Sequence, residues 1–245
     1  MTRDAFLGGR LSIAQPERGF RAGTDSVLLG AAVSPASRTL LDIGCGVGTA
    51  AFVALAYNPE LSAVLMDRDA DLVVTAAGNI VHNQMEERAR ATFCDVAAPN
   101  AEREARGVRL RAFDSVIANP PYFHVGTLAP EPQRATSRHM ANDMLETWLR
   151  LASASVRQNG EALFIYPAEG LYHLLACMQG RFGNVTVMPI ASRPGQDASR
   201  VLVRGTRGSR APMRIMTPLV LHGEDGNGFT PTVEAILRGE SRLVW

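Results

Sequence analysis

At 245 residues the chain has room for one large domain or two small ones. A composition of 46% hydrophobic and 20% charged residues excludes a disordered chain, and no apolar run reaches the ~18–20 residues of a membrane span. The net charge of +1 excludes a strong whole-molecule field, and the scattered cysteines Cys45, Cys94 and Cys177 exclude a disulfide scaffold or a cysteine zinc site.

The first residues, MTRDAFLGGR, carry no apolar signal-peptide core, and the cysteine usage fits a reducing cytoplasm, the expected location. A short strand is predicted at Arg10–Ile13, then a helix over Ser26–Val33 with Thr24 as its N-cap. From about Arg38 to Pro189, short apolar strands alternate with helical stretches. The strands fall at Thr39–Ile43, Ser62–Met66, Ala91–Cys94, Phe113–Ala118, Ala162–Tyr166 and Val185–Met188. The helices fall at Thr49–Tyr57, Asp69–His82, Asn142–Arg157 and Ala168–Gln179, the last two stopped by Gly160 and Gly180. This alternation predicts an α/β fold with a mostly parallel sheet covered by helices. Late strands at Arg200–Val203 and Arg214–Leu221, with no long helix between them, predict an antiparallel hairpin at the sheet edge. A short helix over Thr232–Arg238 ends the chain. The organisation expected is a small N-terminal extension, 1–37, packing on the ligand side of a domain spanning 38–245.

Polar residues close successive strands at Asp42, Asp67, Asp95 and Asn119, at intervals of 25, 28 and 24 residues. In an open parallel sheet these ends share one edge, where ligands bind. Asp42-Ile43-Gly44-Cys45-Gly46-Val47-Gly48 follows the first of these strands and opens a helix. The dinucleotide fingerprint G-x-G-x-x-G would need glycine where Thr49 stands. An acid two residues before the first glycine suits a cation better than a pyrophosphate. Asp67, about 20 residues on, can accept both ribose hydroxyls of an adenosine. Asp95 can accept an adenine amino group. Asn119-Pro120-Pro121-Tyr122 is the sharpest motif. Its prolines remove two backbone donors. The Asn119 amide oxygen and the Pro120 carbonyl can then both accept from one NH2 group and orient it, while Tyr122 offers a face for stacking.

These motifs resemble the class I S-adenosylmethionine-dependent methyltransferases of the Asn-Pro-Pro-Tyr branch, which modify exocyclic or amide nitrogens. Gly19-Phe20-Arg21-Ala22-Gly23-Thr24-Asp25-Ser26-Val27-Leu28-Leu29, Ser199-Arg200-Val201-Leu202-Val203 and Gly228-Phe229-Thr230-Pro231 are similar to segments of the tRNA(Val) adenine-N6-methyltransferases. The resemblance implies a Rossmann-like fold and S-adenosyl-L-methionine as cofactor. It implies that Asp42, Gly44, Gly46 and Gly48 line the methionine part, with Cys45 in the same loop. Asp67, beside Arg68, would hold the ribose, and Asp95, beside Val96, would lie by the adenine. Thr24 and Asp25 would close over the cofactor. Asn119, Pro120, Pro121 and Tyr122 would hold the target amine.

The expected partner is tRNA or another structured RNA. The basic residues are all arginine, and Arg193, Arg200, Arg204, Arg207 and Arg210 form a run broken by one acid, Asp197. Arginine forks bind phosphates bidentately, so this run is a candidate RNA contact, and a solvated loop face is the bland alternative. The segment His124–His139, with Arg134 and Arg138, is a second candidate for the RNA backbone. Five scattered histidines lack metal-ligand spacing, so no metal is expected. The same tetrapeptide serves glutamine-N5 methylation of release factors and ribosomal RNA guanine-N2 methylation. The former enzymes carry a helical recognition domain that 37 residues cannot supply. An RNA-binding module without catalysis and a nicotinamide oxidoreductase complete the alternatives. All four strand ends are chemically competent, against the first; Thr49 and Asn-Pro-Pro-Tyr disfavour the second.

Overall fold

The computed structural model describes residues 1–17, 22–121 and 144–245. Thr2–Phe6 (β1) and Leu11–Gln15 (β2) pair antiparallel as a separate hairpin. Helix α1 (Thr24–Ala31) follows, with Gly23 rather than Thr24 at the N-cap; Thr24 is already helical, and the Gly23 carbonyl accepts from Ser26 N at 3.1 Å. Then come β3 (Thr39–Ile43), α2 (Thr49–Tyr57), β4 (Ser62–Asp67), α3 (Ala70–His82), β5 (Ala89–Phe93), α4 (Asn100–Ala105) and β6 (Phe113–Ala118). Residues 144–155 are helical (α5) and run into β7 (Val156–Pro167). The chain closes with α6 (Leu171–Met178), β8 (Phe182–Ala191), β9 (Ala198–Arg207), β10 (Arg214–Ile215), β11 (Leu219–Val220) and α7 (Pro231–Leu237).

The main sheet has the order β10-β8-β9-β7-β6-β3-β4-β5, with β11 also on β8. Strands β3 to β7 are mutually parallel, as the alternation predicts. The antiparallel hairpin exists, but its members differ from expectation. It is β8–β9, and β9 is inserted between β7 and β8, antiparallel to both. The stretch expected as one strand, Arg214–Leu221, is split into β10 and β11, both parallel to β8. Pro218 stands in the break and has no N–H for the ladder.

Strand alternation sends side chains to two cores. On one face Leu40, Leu163 and Ile165 pack with α1, α2, α7 and the N-terminal residues Leu7, Leu11 and Ile13. On the other, Leu41, Ile43, Ala162 and Phe164 pack with α5 and α6. Residues of the N-terminal extension thus share a core with the rest of the chain. Its docking is also polar. Asn83, the C-cap of α3, exchanges two hydrogen bonds of 3.0 Å with the backbone of Ser12. Asn79 binds both backbone groups of Ala14, at 2.8 and 3.1 Å, as a neighbouring strand would. Asn79 Nδ2 also donates to the Val47 carbonyl at 3.2 Å, so one buried amide ties the extension to the glycine loop.

Candidate active site

The carboxyl ends of β3, β4, β5 and β6 meet around a cavity of about 980 Å3. Asp42, Asp67, Asp95 and Asn119 all line it, as the strand-end spacing predicts. So do Gly44, Cys45, Gly46, Arg68, Val96, Pro120 and Pro121. Gly48 does not line the cavity. Its φ of +93° lets the chain turn into α2, and a Cβ there would lie 2.7 Å from both Leu65 and Phe52. Tyr122, the His124–His139 segment, and Gly19, Phe20 and Arg21 lie outside the described residues.

Asp42 is the most perturbed acid. It is 3% exposed, and burial pushes its carboxyl up to about 8 against a lowering backbone hydrogen bond from Ala51, with the nearby Asp67 carboxylate raising it further. Its Oδ2 and the Thr49 hydroxyl are buried without a hydrogen-bond partner among the described residues. Both residues face the cavity. A buried orphan acceptor next to a second acid is the environment that a cationic, hydrogen-bond-donating ligand relieves. An ammonium group fits this donor set, and a phosphate does not.

Asp67 braces the glycine loop. Its Oδ2 accepts from Gly46 N at 2.8 Å and its Oδ1 from Asp69 N at 3.0 Å. A carboxylate offers about four lone-pair sites, so two vicinal hydroxyls can still be received. Asp95 Oδ1 accepts from Ala97 N at 2.7 Å, which shapes the turn beneath the cavity floor. Asn119 is half-buried at the end of β6, and Pro120 is buried.

From the N-terminal segment Pro16, Ala22, Ser26 and Leu29 line the cavity, whereas Thr24 and Asp25 do not. Asp25 is turned to β9, where its Oδ2 accepts from Arg200 Nε at 3.1 Å. Residues not singled out from sequence come from α5: Met144, Thr147 and Trp148 line the cavity. Trp148 packs so closely on Gly44 that a Cβ there would stand 2.1 Å from its ring. One signal was available, since Trp148 is one of two tryptophans in the chain.

The arginine run does not form one patch. Strand β9 is antiparallel, so Arg200 at its start and Arg207 at its end lie roughly 23 Å apart, at opposite edges of the sheet. Arg193 clamps the carbonyls of Gly223 and Gly226 at 2.9 and 2.7 Å. Arg204 lies 3.9 Å from Glu161 and 4.5 Å over the Trp245 ring. Arg207 donates to the Val156 carbonyl at 3.3 Å, and Arg210 is exposed. None of the five lines the cavity. Among the described residues there is no metal-binding cluster, and no helix is long and apolar enough to cross a membrane.

Comparison with known proteins agrees with this geometry. The family model described as methyltransferase small domain matches residues 21–193. A tRNA1(Val) (adenine(37)-N6)-methyltransferase of Vibrio vulnificus is 35% identical over 199 residues, 80% of each chain. A protein of the same name from Bacteroides fragilis is 27% identical over 209 residues, 84% of this chain and 85% of that one. A solved structure of a predicted O-methyltransferase from Agrobacterium tumefaciens has a TM-score of 0.76 at 26% identity, covering 89% of this chain and 98% of that one. A tRNA (m1A58) methyltransferase from Aquifex aeolicus shares the fold, with a TM-score of 0.53 at 16% identity over 80% of this chain and 72% of its own. The matched span runs through the glycine loop, all four strand ends and the Asn-Pro-Pro-Tyr motif, and the chain belongs to the methyltransferase small-domain family.

Proposed function

We propose that the protein methylates the N6 amine of an adenine in tRNA, the reaction its relatives are named for at adenine 37 of tRNA1(Val). The observation that carries this reading is the meeting of Asp42, Asp67, Asp95, Asn119 and Pro120 on one cavity. The methyl donor is S-adenosylmethionine, which when bound supplies a methyl group already activated by its sulfonium.

The chain's own residues do the rest. Asp42 and Thr49 receive an ammonium where Asp42 Oδ2 and Thr49 Oγ1 lack partners among the described residues. Asp67 receives the ribose hydroxyls while bracing Gly46, so the loop and the sugar site move as one. The Asn119 amide oxygen and the Pro120 carbonyl accept from the target NH2. Two acceptors at that point match the two N–H groups of an amine, where a hydroxyl has one hydrogen to give, and they direct the amine's lone pair along the line of attack. Holding two reactants in this way replaces a bimolecular encounter with an oriented one. After transfer the nitrogen is strongly acidic, and water takes its proton. An adenine in a stacked loop must be extruded to reach Asn119.

The test is incubation with methyl-labelled S-adenosylmethionine and unmodified total tRNA, followed by nucleoside analysis by mass spectrometry. N6-methyladenosine in one tRNA supports the reading. N2-methylguanosine would keep the site and move the substrate. Absence of label, with cofactor binding measured separately, would refute it.

A further inference from the structure

A second cavity, of about 640 Å3, lies between α4 with its preceding turn and the middle of α5. It adjoins the cofactor cavity, since Val96, Ala97 and Thr147 line both. Its charged lining residues are Arg103 and Arg150, with no carboxylate. Arg103 is held in place by donating from Nη1 to the Val96 carbonyl at 3.0 Å and from Nη2 to the Asn100 side chain. Arg150 is exposed and makes a 3.4 Å contact from Nη2 to Thr147 Oγ1. Among the described residues neither has an ion-pair partner. Arg38, Arg157, Arg181, Arg200, Arg204 and Arg238 each have a carboxylate within 4 Å. A guanidinium carries five donors, so both arginines retain N–H groups for a ligand.

We propose that this groove is the path of the RNA sugar–phosphate backbone beside the extruded adenine, with Arg103 and Arg150 each contacting a phosphate. The inference rests on the tRNA reading above and adds where the strand runs. A nucleotide pulled into the main cavity leaves its neighbours outside, and their phosphates need cations close to the mouth. The arginine run after Arg193 is unsuited to this, being divided between two sheet edges and largely engaged within the protein. The α4–α5 groove lies beside the cavity, and its arginines, without an ion-pair partner among the described residues, are forks matched to phosphate oxygens.

The test compares wild type, Arg150→Glu and Arg3→Glu. Arg3 is an exposed arginine of β1, in the separate N-terminal hairpin, and lines neither cavity. The readouts are the KM for tRNA, its dependence on salt, and the dissociation constant for S-adenosylmethionine. Arg150→Glu is expected to raise the tRNA KM about tenfold or more and to lower the slope of log affinity against log salt by roughly one, with cofactor binding unchanged. Arg3→Glu is expected to leave the tRNA KM as in wild type. Equal tRNA KM and salt slope in wild type and Arg150→Glu would overturn the groove while leaving the tRNA reading intact. An equal rise in both variants would also overturn it, since the effect would then be net charge alone. A wild-type enzyme that labels no tRNA would overturn the substrate reading, and the groove with it.

Discussion

Asp42→Asn isolates a strongly perturbed, buried carboxyl that lines the cavity. The folded carboxyl stays protonated up to about pH 8, whereas the same group ionises near 3.8 when the chain is unfolded. Between those values the unfolded chain binds fewer protons, so this group's contribution to stability falls as pH rises. From pH 5 to pH 8 the loss is on the order of 4 kcal/mol at ~1.4 kcal/mol per pH unit, levelling off above pH 8. Cofactor binding reverses the balance. With burial holding its pKa above neutrality, the Asp42 carboxyl is mostly protonated in the free protein at pH 7. Forming an ion pair with an ammonium therefore expels close to one proton. Isothermal calorimetry in two buffers of different ionisation enthalpy reads that number directly. Wild type should release a large fraction of a proton at pH 7. Asp42→Asn should release none, bind the cofactor roughly ten- to a hundredfold more weakly, and lose the pH slope in urea unfolding. Proton release that is absent in wild type, or equal in the variant, would refute the assignment of Asp42 to the ammonium.

Gly44→Ala places a methyl group against the Trp148 ring at a backbone φ of +65°, so it should cost about 1–3 kcal/mol in unfolding free energy and abolish cofactor binding. A variant with wild-type cofactor affinity would show that the Gly44–Trp148 contact is dispensable. Asn119→Ala should lower kcat by at least about a hundredfold through loss of amine orientation, while cofactor affinity, measured by calorimetry, stays within about twofold. Retained turnover would remove Asn119 from its role. Arg200→Ala and Asp25→Ala should each weaken cofactor binding slightly, by less than about 1 kcal/mol, because their half-exposed pair anchors the start of α1 beside Ser26. The double variant should be no worse than either single one. If Arg200→Ala alone weakens tRNA binding, Arg200 is an RNA contact instead of an anchor.

Much of this protein was legible from local pattern. Apolar runs placed β3, β6 and α2 at their observed bounds, because a strand buried on both faces and a core helix announce themselves through their own residues. The one-unit rhythm of Asp42, Asp67, Asp95 and Asn119 then sufficed to bring four strand ends to one cavity, since parallel topology puts them on one edge. β1 and α4 were not expected, being short and carrying almost no buried apolar residues. The insertion of β9 between β7 and β8 was equally hidden, because pairing partners are chosen by contacts distant in sequence. That choice scattered the arginine run over two edges. Tertiary packing also set Trp148 on Gly44, turned Asp25 away to Arg200, and brought Arg103 and Arg150 together across a groove. Sequence period specifies which residues face a sheet edge or a core. Which side chains meet there depends on strand order and helix packing, and these are settled by the free energy of the whole core.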